Sequence, residues 1–255
     1  MRRIIESLSL YGILFFLMSS SLYASEDNII LLSEEANSPP YSYESDGTPT
    51  KGLSLALMNG IFAHLGAKMD LKLFPWKRCL IHMKQGTRDA LTVLSINEER
   101  KEFLEFTEPH LEIKGYVYYS AAREKGISWN SFEDLKGFKI GVVAGFNYGK
   151  EFEKSKKELS LQISEVTRLS QNFEKLTLGR IDIMLANQAE AGEFIRLNPK
   201  YKGKIKHAEK PYIVYQYRMA FSKKSNKRHF IPKINDVIKK MKSNGELDSI
   251  VSNFF

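Results

Sequence analysis

The clearest candidate for binding chemistry lies within residues 89–110. An apolar run at residues 90–94 has the length and β-branched content of a buried strand. Ser95 follows this run, and Asn97 then begins a short helix whose first turn contains Arg100. An arginine is unfavourable there unless an anion holds it, because the helix dipole is positive at that end. A guanidinium can grip a carboxylate through two parallel N–H donors. The spacing therefore predicts either an anion site or a solvated surface arginine.

The sequence indicates neither a metal centre nor a reactive thiol. Cys79 is the single cysteine, which excludes an internal disulfide and a cysteine zinc cluster. Its apolar neighbours in a predicted helix favour a small core residue over a nucleophile. The five histidines show no metal-ligand spacing. We therefore predict no cofactor.

Strand and helix patterns alternate along the chain. Strands are predicted at residues 29–32, 69–73, 90–94, 115–120, 138–143, 159–163, 181–185 and 212–221. Helices are predicted at residues 53–65, 76–84, 132–135, 172–178 and 189–197, after Asn97, from about residue 148, and twice within residues 231–255. This alternation predicts an α/β fold with a mainly parallel sheet.

Ligands of such sheets bind where loops leave the carboxyl ends of strands. In the first half of the chain, loops of this kind lie at residues 35–41, 75–78 and 95–100; in the second half, Gly145 and Asn187 also stand at strand ends. The candidate ligand-binding residues are Glu35, Tyr41, Trp76, Arg78, Ser95, Arg100, Gly145, Phe146, Asn147 and Asn187.

The strand and helix pattern restarts near residue 114, which indicates a second unit. β-rich stretches at residues 114–120 and 216–222 flank this unit, so it looks inserted into the first. We predict that residues 25–115 and 217–255 form lobe 1 and that residues 116–216 form lobe 2. The two crossing strands would then form a hinge beside a central ligand cleft.

The amino terminus has the pattern of a secretory signal peptide. Arg2 and Arg3 precede an apolar stretch at residues 8–18 that is too short for a stable membrane anchor. Cleavage after Ala24 would remove residues 1–24; an uncleaved anchor is the alternative. The formal charge of +8 is diffuse. Because an exported protein has little occasion to meet nucleic acid, we predict no nucleic-acid partner.

An ordered set of short motifs covers nearly the whole remainder of the chain. They are Pro39-Pro40-Tyr41, Pro75-Trp76, Ser95-Ile96-Asn97-Glu98-Glu99-Arg100, Phe106-Thr107-Glu108-Pro109, Asp134-Leu135-Lys136-Gly137, Gly179-Arg180-Ile181-Asp182 and Gly245-Glu246-Leu247. In this order they resemble the family 3 periplasmic solute-binding proteins, which are the polar-amino-acid receptors of bacterial uptake transporters.

The resemblance implies a two-lobe type II periplasmic-binding fold that closes on a small ligand without chemistry, and so no enzyme. It implies that Arg100 grips the α-carboxylate of the ligand with help from Ser95. Trp76 would form a wall of the cleft, and the loop at residues 145–147 would offer backbone donors from lobe 2. It further implies a monomeric periplasmic protein that delivers an amino acid or related small carboxylate to an ABC transporter permease or a membrane sensor.

Two departures from the family pattern bear on the ligand. Asn187 stands where these receptors commonly have an aspartate for the α-ammonium, and a neutral amide binds an ammonium more weakly. Glu35 in the first ligand loop is a candidate replacement. Arg78 is either a second cation, which would favour an anionic ligand, or a solvated helix residue.

Two other functions are compatible with the same pattern. An enzyme on this fold, such as a cyclohexadienyl dehydratase, needs a positioned acid, for which Glu35, Glu108 and His110 are candidates. The third possibility is a ligand-sensing periplasmic protein without a transporter.

Overall fold

The computed structural model describes residues 29–46, 48–123 and 126–254. The predicted signal peptide and Gly47 lie outside these residues. The strands are β1 Ile29–Glu35, β2 Tyr43–Ser45, β3 Thr48–Lys51, β4 Lys68–Phe74, β5 Ala90–Leu94, β6 Leu104–Phe106, β7 Leu111–Ser120, β8 Lys139–Val143, β9 Gln162–Val166, β10 Ile183–Asn187, β11 Ile205–His207 and β12 Ile213–Ser222. In the described part of the chain, no helix is long and apolar enough to cross a membrane.

Eight α-helices are found among these residues. They are α1 Leu53–Leu65, α2 Trp76–Gln85, α3 Glu98–Phe103, α4 Lys150–Glu158, α5 Leu169–Thr177, α6 Gln188–Leu197, α7 Ile231–Ser243 and α8 Glu246–Ser252. Short 3₁₀ turns occur at Phe132–Leu135, Pro199–Tyr201 and Asn226–Phe230. Helix α1 ends at Gly66, whose φ of 67° is the left-handed conformation that terminates helices.

The sheet contains two parallel groups joined by two antiparallel strands. Its order is β4-β1-β5-β12-β7-β10-β8-β9, with β6 on β12 and β11 on β7. Strand β1 pairs in parallel with β4 and β5, and β8 pairs in parallel with β9 and β10. Each parallel group thus forms the centre of one lobe.

The strands β7 and β12 connect the lobes. Their first halves pair antiparallel, with Ile213 opposite Gly115 and Tyr217 opposite Leu111. Beyond this crossing, β7 pairs with β10 in lobe 2 and β12 pairs with β5 in lobe 1. A Cβ on Gly115 would lie 2.7 Å from the Ile213 side chain, so the close crossing requires glycine there. These are the predicted crossing strands, although the predicted lobe boundaries stay a prediction.

Separate apolar cores support the two lobes. In lobe 1, Leu57 and Ile61 of α1 pack with Ile30 of β1 and Ile238 of α7. In lobe 2, the β8 and β10 side chains pack with residues of α4 and of the first 3₁₀ turn, including Ile140, Ile183, Phe152 and Leu135. Each lobe therefore holds its strand ends rigidly on its own side of the cleft.

Two sequence-based expectations need correction. The pairings among β1, β4 and β5 and among β8, β9 and β10 are parallel, but every pairing of β7 and β12 is antiparallel, so the sheet is mixed. The strand predicted at residues 159–163 lies at Gln162–Val166 instead. Leu159 caps the end of α4, and Ser160 turns the chain with a φ of 50°. The alternating leucines there fill the core beside a turn and do not form a strand.

Candidate functional site

Arg100 lies at the end of β5, on the first turn of α3. The Asn97 side chain caps this helix by accepting a 2.8 Å hydrogen bond from the Arg100 backbone N–H. The side chain turns back onto the strand end, where Nη1 donates to the Ser95 carbonyl at 2.7 Å. Ser95 Oγ lies 3.4 Å from the same nitrogen. Only 4% of Arg100 is exposed, so it is not a solvated surface arginine.

Lobe 2 contacts the same guanidinium through one backbone carbonyl. Gly145 O accepts hydrogen bonds from Arg100 Nη2 and Trp76 Nε1, both at 3.2 Å. The Arg100 guanidinium also lies 5.1 Å from the centre of the Trp76 ring, within cation–π distance. Gly145 follows β8 with a φ of 77°, which favours glycine. The two lobes therefore meet at Arg100.

No carboxylate among the described residues forms an ion pair with Arg100; Glu99, which acts on its charge, is paired with Lys84 at 3.1 Å. Burial lowers the pKa of its guanidinium to about 10, which leaves it cationic at neutral pH. Its hydrogen-bond acceptors are neutral oxygens of Ser95 and Gly145. Because a buried cation is costly without a counter-charge, this arrangement can accept an anion from solution.

Asn147 joins the two lobes next to Arg100. Its Nδ2 donates to Ser95 Oγ and to the Ile96 carbonyl, both at 2.9 Å. Its Oδ1 accepts from the backbone N–H of Gly149 at 3.0 Å, which fixes the loop after β8. The side chain of this loop, as well as its backbone, thus reaches the residues that surround Arg100.

Asn187 and Glu190 form a second polar group where β10 meets α6. Asn187 caps the helix by accepting from the Glu190 N–H at 2.8 Å, and its Nδ2 donates to Glu190 Oε2 at 2.6 Å. Glu190 Oε1 accepts from Ser38 Oγ of lobe 1 at 2.9 Å. Tyr41 OH donates to Asn187 Oδ1 at 3.4 Å. The lobes therefore also meet at this second group.

The carboxyl groups near Asn187 hold their protons unusually strongly. Burial is the main cause that raises the pKa of Glu34 and of Glu190 from 4.5 to about 7. Burial also raises the pKa of Glu35 well above 4.5, and Glu190 and Glu34 raise it further. This end of the site is consequently acidic, whereas the end at Arg100 is cationic.

A cleft between the lobes contains most of the predicted site residues. The volume of this cleft that the centre of a water molecule can occupy is about 60 Å³. Its walls include eight of the candidates from the sequence: Glu35, Tyr41, Trp76, Ser95, Arg100, Phe146, Asn147 and Asn187. Gly145 does not line this space but borders it through its bonds to Trp76 and Arg100.

Arg78 does not join this group. It lies exposed on the outer side of α2, 5.8 Å from the ring of Phe74, and it does not line the cleft. Its place on the helix, two residues after Trp76, turns it away from the wall that Trp76 forms. The structure therefore favours the solvated helix arginine over the second ligand cation.

Several cleft residues were not among the sequence candidates. These are Glu34, Ser38, Val93, Leu94, Val143, Tyr148, Leu169, Leu185, Ala186, Glu190, Tyr215 and Tyr217. Two signals were available: Glu190 follows the capping residue Asn187 by three positions, and Tyr215 and Tyr217 alternate on one face of a strand. Burial of carboxyl groups, in contrast, has no local sequence signal.

The residues suggested for a dehydratase do not converge. Glu108 is exposed, and its backbone N–H binds Asn235. His110 is 2% exposed, and neither ring nitrogen has a hydrogen-bond partner in the described structure. Of the three candidate acids, only Glu35 lines the cleft. The described residues also contain no group of three or more His, Cys, Asp or Glu that could hold a metal ion.

Comparison with known proteins agrees with this two-lobe geometry. The family model for bacterial extracellular solute-binding proteins, family 3, matches residues 30–255. The chain belongs to this family. Its fold is accordingly the type II periplasmic-binding fold, in which a cleft between two lobes receives the solute.

Individual members of the family are distant in sequence. A probable histidine-binding protein of Neisseria gonorrhoeae is 24% identical over 91% of this chain and 85% of its own. A probable amino-acid ABC transporter-binding protein of Haemophilus influenzae is 23% identical over 89% of this chain and 84% of its own. The structure of an ancestral arginine-binding protein bound to arginine is 25% identical, with a TM-score of 0.74 over 89% of this chain and 98% of that one.

Proposed function

We propose that this solute-binding protein captures an amino acid or a related small carboxylate between its lobes and delivers it to an ABC transporter. The observation that carries this proposal is Arg100, a 4% exposed cation with no carboxylate partner among the described residues. Carbonyl oxygens from both lobes hold it at the cleft. A ligand carboxylate would supply the missing counter-charge.

The residues around Arg100 would orient the ligand. Ser95 Oγ lies beside the guanidinium and would take part in binding the carboxylate. Trp76 and Phe146, whose rings pack edge to face at 6.4 Å, would form an apolar wall. The names of the relatives, which include amino-acid binding and an ABC transporter, support both the ligand class and the transporter partner. Delivery to a membrane sensor is the alternative partner.

Thermal unfolding with a ligand panel tests the proposal. The purified protein is refolded to remove bound solute and then melted with amino acids, dicarboxylates, polyamines and sugars. A ligand at a hundred times its Kd stabilises the folded protein by about 2.7 kcal/mol, which should raise the Tm by roughly 5–10 °C. The proposal fails if no amino acid or small carboxylate shifts the Tm. Turnover of prephenate or arogenate, followed by ultraviolet absorbance, would instead establish the enzyme.

We also infer export to the periplasm through a cleaved signal peptide. The inference rests on the sequence of residues 1–24 and on the extracellular solute-binding family. Mass spectrometry of the protein from a periplasmic extract should find a chain that begins at Ser25. A full-length chain that stays with the membrane fraction would show an uncleaved anchor.

A further inference from the structure

Three carboxyl groups line the cleft in addition to the Arg100 guanidinium. Glu34 and Glu35 end strand β1, and Glu190 lies on the first turn of α6; all three line the cleft. Glu34 accepts hydrogen bonds from the Glu35 N–H at 2.8 Å and from the Thr92 hydroxyl. Glu190 is bound by Ser38 and Asn187. We refer to Glu34, Glu35 and Glu190 as the acidic cluster.

The acidic cluster has no cationic partner within the described structure. Its side-chain hydrogen bonds come from neutral hydroxyl, amide and backbone groups, and the Glu35 carboxyl has none from a described residue. Glu190 and Glu34 both act on Glu35, and Glu34 acts on Glu190, so the three carboxyls are close enough to repel one another. Such a group is stable only when it keeps protons or when a cation enters.

Two stacked tyrosines line the cleft together with the acidic cluster and Arg100. Tyr215 and Tyr217 stack in parallel on β12, with ring centres 5.4 Å apart. Burial is the main cause that raises the pKa of each tyrosine; Glu190 raises it further, and Arg100 lowers it. Arg100 is not among the charges that act on the three carboxyls. Both the cationic and the acidic groups of the cleft therefore lie close enough to the tyrosines to act on them.

Further aromatic rings line the same cleft. Trp76, Phe146, Tyr41 and Tyr148 line the cleft together with the stacked tyrosines. Aromatic faces attract cations and cover the methylene groups of extended side chains. Together with the acidic cluster, these rings would accept a ligand that is cationic beyond its α-ammonium.

We propose that the cleft selects amino acids with a positively charged side chain, with the ligand carboxylate at Arg100 and its cationic groups at the acidic cluster. This proposal rests on the proposed function and narrows its ligand class. The charges balance in pairs: Arg100 takes the carboxylate, while Glu35 and Glu190 take the ammonium and the side-chain cation. Glu34 keeps its proton because burial disfavours its ionised form, although the Thr92 hydroxyl and the Glu35 N–H both donate to it.

A ligand with a neutral side chain would leave one of these two carboxylates without a cation. The ligand ammonium would then pair with one carboxylate, and the second would be left buried without a partner or would have to take a proton. The acidic cluster therefore weakens the binding of ligands with a neutral side chain as well as strengthening the binding of basic ones. Discrimination between two ligands of equal shape but different charge is the property to measure.

Isothermal titration with isosteric pairs of ligands tests this selection. Arginine is compared with citrulline, and lysine with 6-hydroxynorleucine, on the refolded protein. We expect at least one basic member to bind about 100-fold more tightly than its neutral partner. Equal or tighter binding of citrulline, or of a neutral amino acid such as glutamine, would overturn the selection while leaving the proposed function intact. If no amino acid binds, both proposals fail.

Substitutions in the acidic cluster test whether its residues cause the preference for basic ligands. Glu35→Gln and Glu190→Gln keep the size of the side chains and should reduce the preference for the basic ligand to less than about tenfold. Glu193→Gln, on the same helix but paired with Arg196 at 2.6 Å, is the matched control and should retain the full preference. Retention of the full preference in the Glu35→Gln, Glu190→Gln double variant would overturn the proposed role of the cluster.

Discussion

Arg88 and Arg100 are two buried arginines of lobe 1, with 7% and 4% of their surface exposed. Arg88 donates to the Leu32 carbonyl from Nε at 3.0 Å and from Nη2 at 2.7 Å. Its Nη1 lies 3.2 Å from an Asp70 carboxylate oxygen, so its charge is paired within the protein. Arg100 also binds carbonyls, but no described carboxylate pairs with it.

The difference shows how a buried charge can be assigned to structure or to binding. Arg88 ties β1 to β4 and satisfies its own charge, so it stabilises lobe 1. Arg100 keeps an incomplete set of partners at the meeting point of both lobes. Burial of a cation costs several kcal/mol, and this cost is offset only where the protein places an opposite charge beside it. For Arg100 the partner has to arrive from solution.

Replacement of Arg100 by alanine should give the largest effect on binding. The ligand carboxylate would be buried without a partner, so affinity should fall by about 2–5 kcal/mol, or roughly 30-fold to 5000-fold. Titration calorimetry with the ligand found in the panel measures this loss. Arg78→Ala removes an exposed arginine outside the cleft and serves as control, with unchanged affinity. Equal losses in both variants would contradict the distinction between the two positions.

Replacement of Arg88 by alanine should act on stability instead of binding. It leaves the buried Leu32 carbonyl without its side-chain donor and Asp70 with only the more distant Lys72, at 3.9 Å, which should cost about 2–4 kcal/mol of unfolding free energy. Denaturant unfolding measures the loss, and the affinity of the folded fraction should stay within about twofold of the original. Arg123→Ala, which breaks a half-exposed pair with Asp182, should cost less than about 1 kcal/mol. Lost affinity in a stable Arg88→Ala protein would contradict this assignment.

The same distinction extends to carboxyl groups through the pH dependence of stability. Because the folded protein raises the pKa of Glu190 to about 7, it binds more protons than the unfolded chain between about pH 4.5 and 7. The contribution of Glu190 to stability is therefore complete below pH 4.5 and is lost as the pH rises through 7. Glu190→Gln should gain about 1–3 kcal/mol over the original protein as the pH rises from 5 to 8.

Glu193 provides the control of opposite sign on the same helix. The Arg196 guanidinium lowers the pKa of Glu193, so its contribution is present above its ordinary pKa and is lost as the pH falls. Denaturant unfolding of both glutamine variants at several pH values should give trends of opposite direction. Parallel trends would show that the lack of a cationic partner is not what distinguishes Glu190 from Glu193.

The smallest effect is expected where both charges of an interlobe pair are exposed. Lys150 Nζ of lobe 2 lies 2.8 Å from Glu98 of lobe 1, and both side chains are mostly exposed. Lys150→Ala should change ligand affinity by at most about threefold, and the change should vanish in 1 M salt. Lys154→Ala, on the same helix but paired with Glu158 within lobe 2, should leave ligand affinity unchanged. A tenfold or larger effect would mean that exposed pairs hold the lobes together.

The sequence predicted the local parts of this fold because each has a local cause. Helices α1 and α2 end at glycines that adopt the left-handed conformation, and Asn97 caps α3 as its position indicated. The direction of β7 and β12 could not be read in this way, since strand pairing depends on residues about a hundred positions apart. The alternating residues around Ser160 likewise satisfy the core without forming a strand.

The residues of the candidate site likewise differ in whether local sequence predicts them. Arg100 and Ser95 were predicted because they lie within one strand-to-helix turn. Of the acidic cluster, only Glu35 was predicted, because Glu34 and Glu190 become neighbours only when the lobes meet. Arg78 shows the converse: its proximity to Trp76 in sequence did not bring it to the cleft.

The two tryptophans of the chain give the protein a built-in optical reporter. Trp129 is 8% exposed and packs against Phe132 in the core of lobe 2, and it does not line the cleft. Trp76 belongs to lobe 1, yet its indole N–H binds Gly145 of lobe 2 and its ring lies beside the Arg100 guanidinium. A Trp129→Phe protein therefore emits from a single indole at the contact between the lobes, and its fluorescence follows their opening and closing in real time.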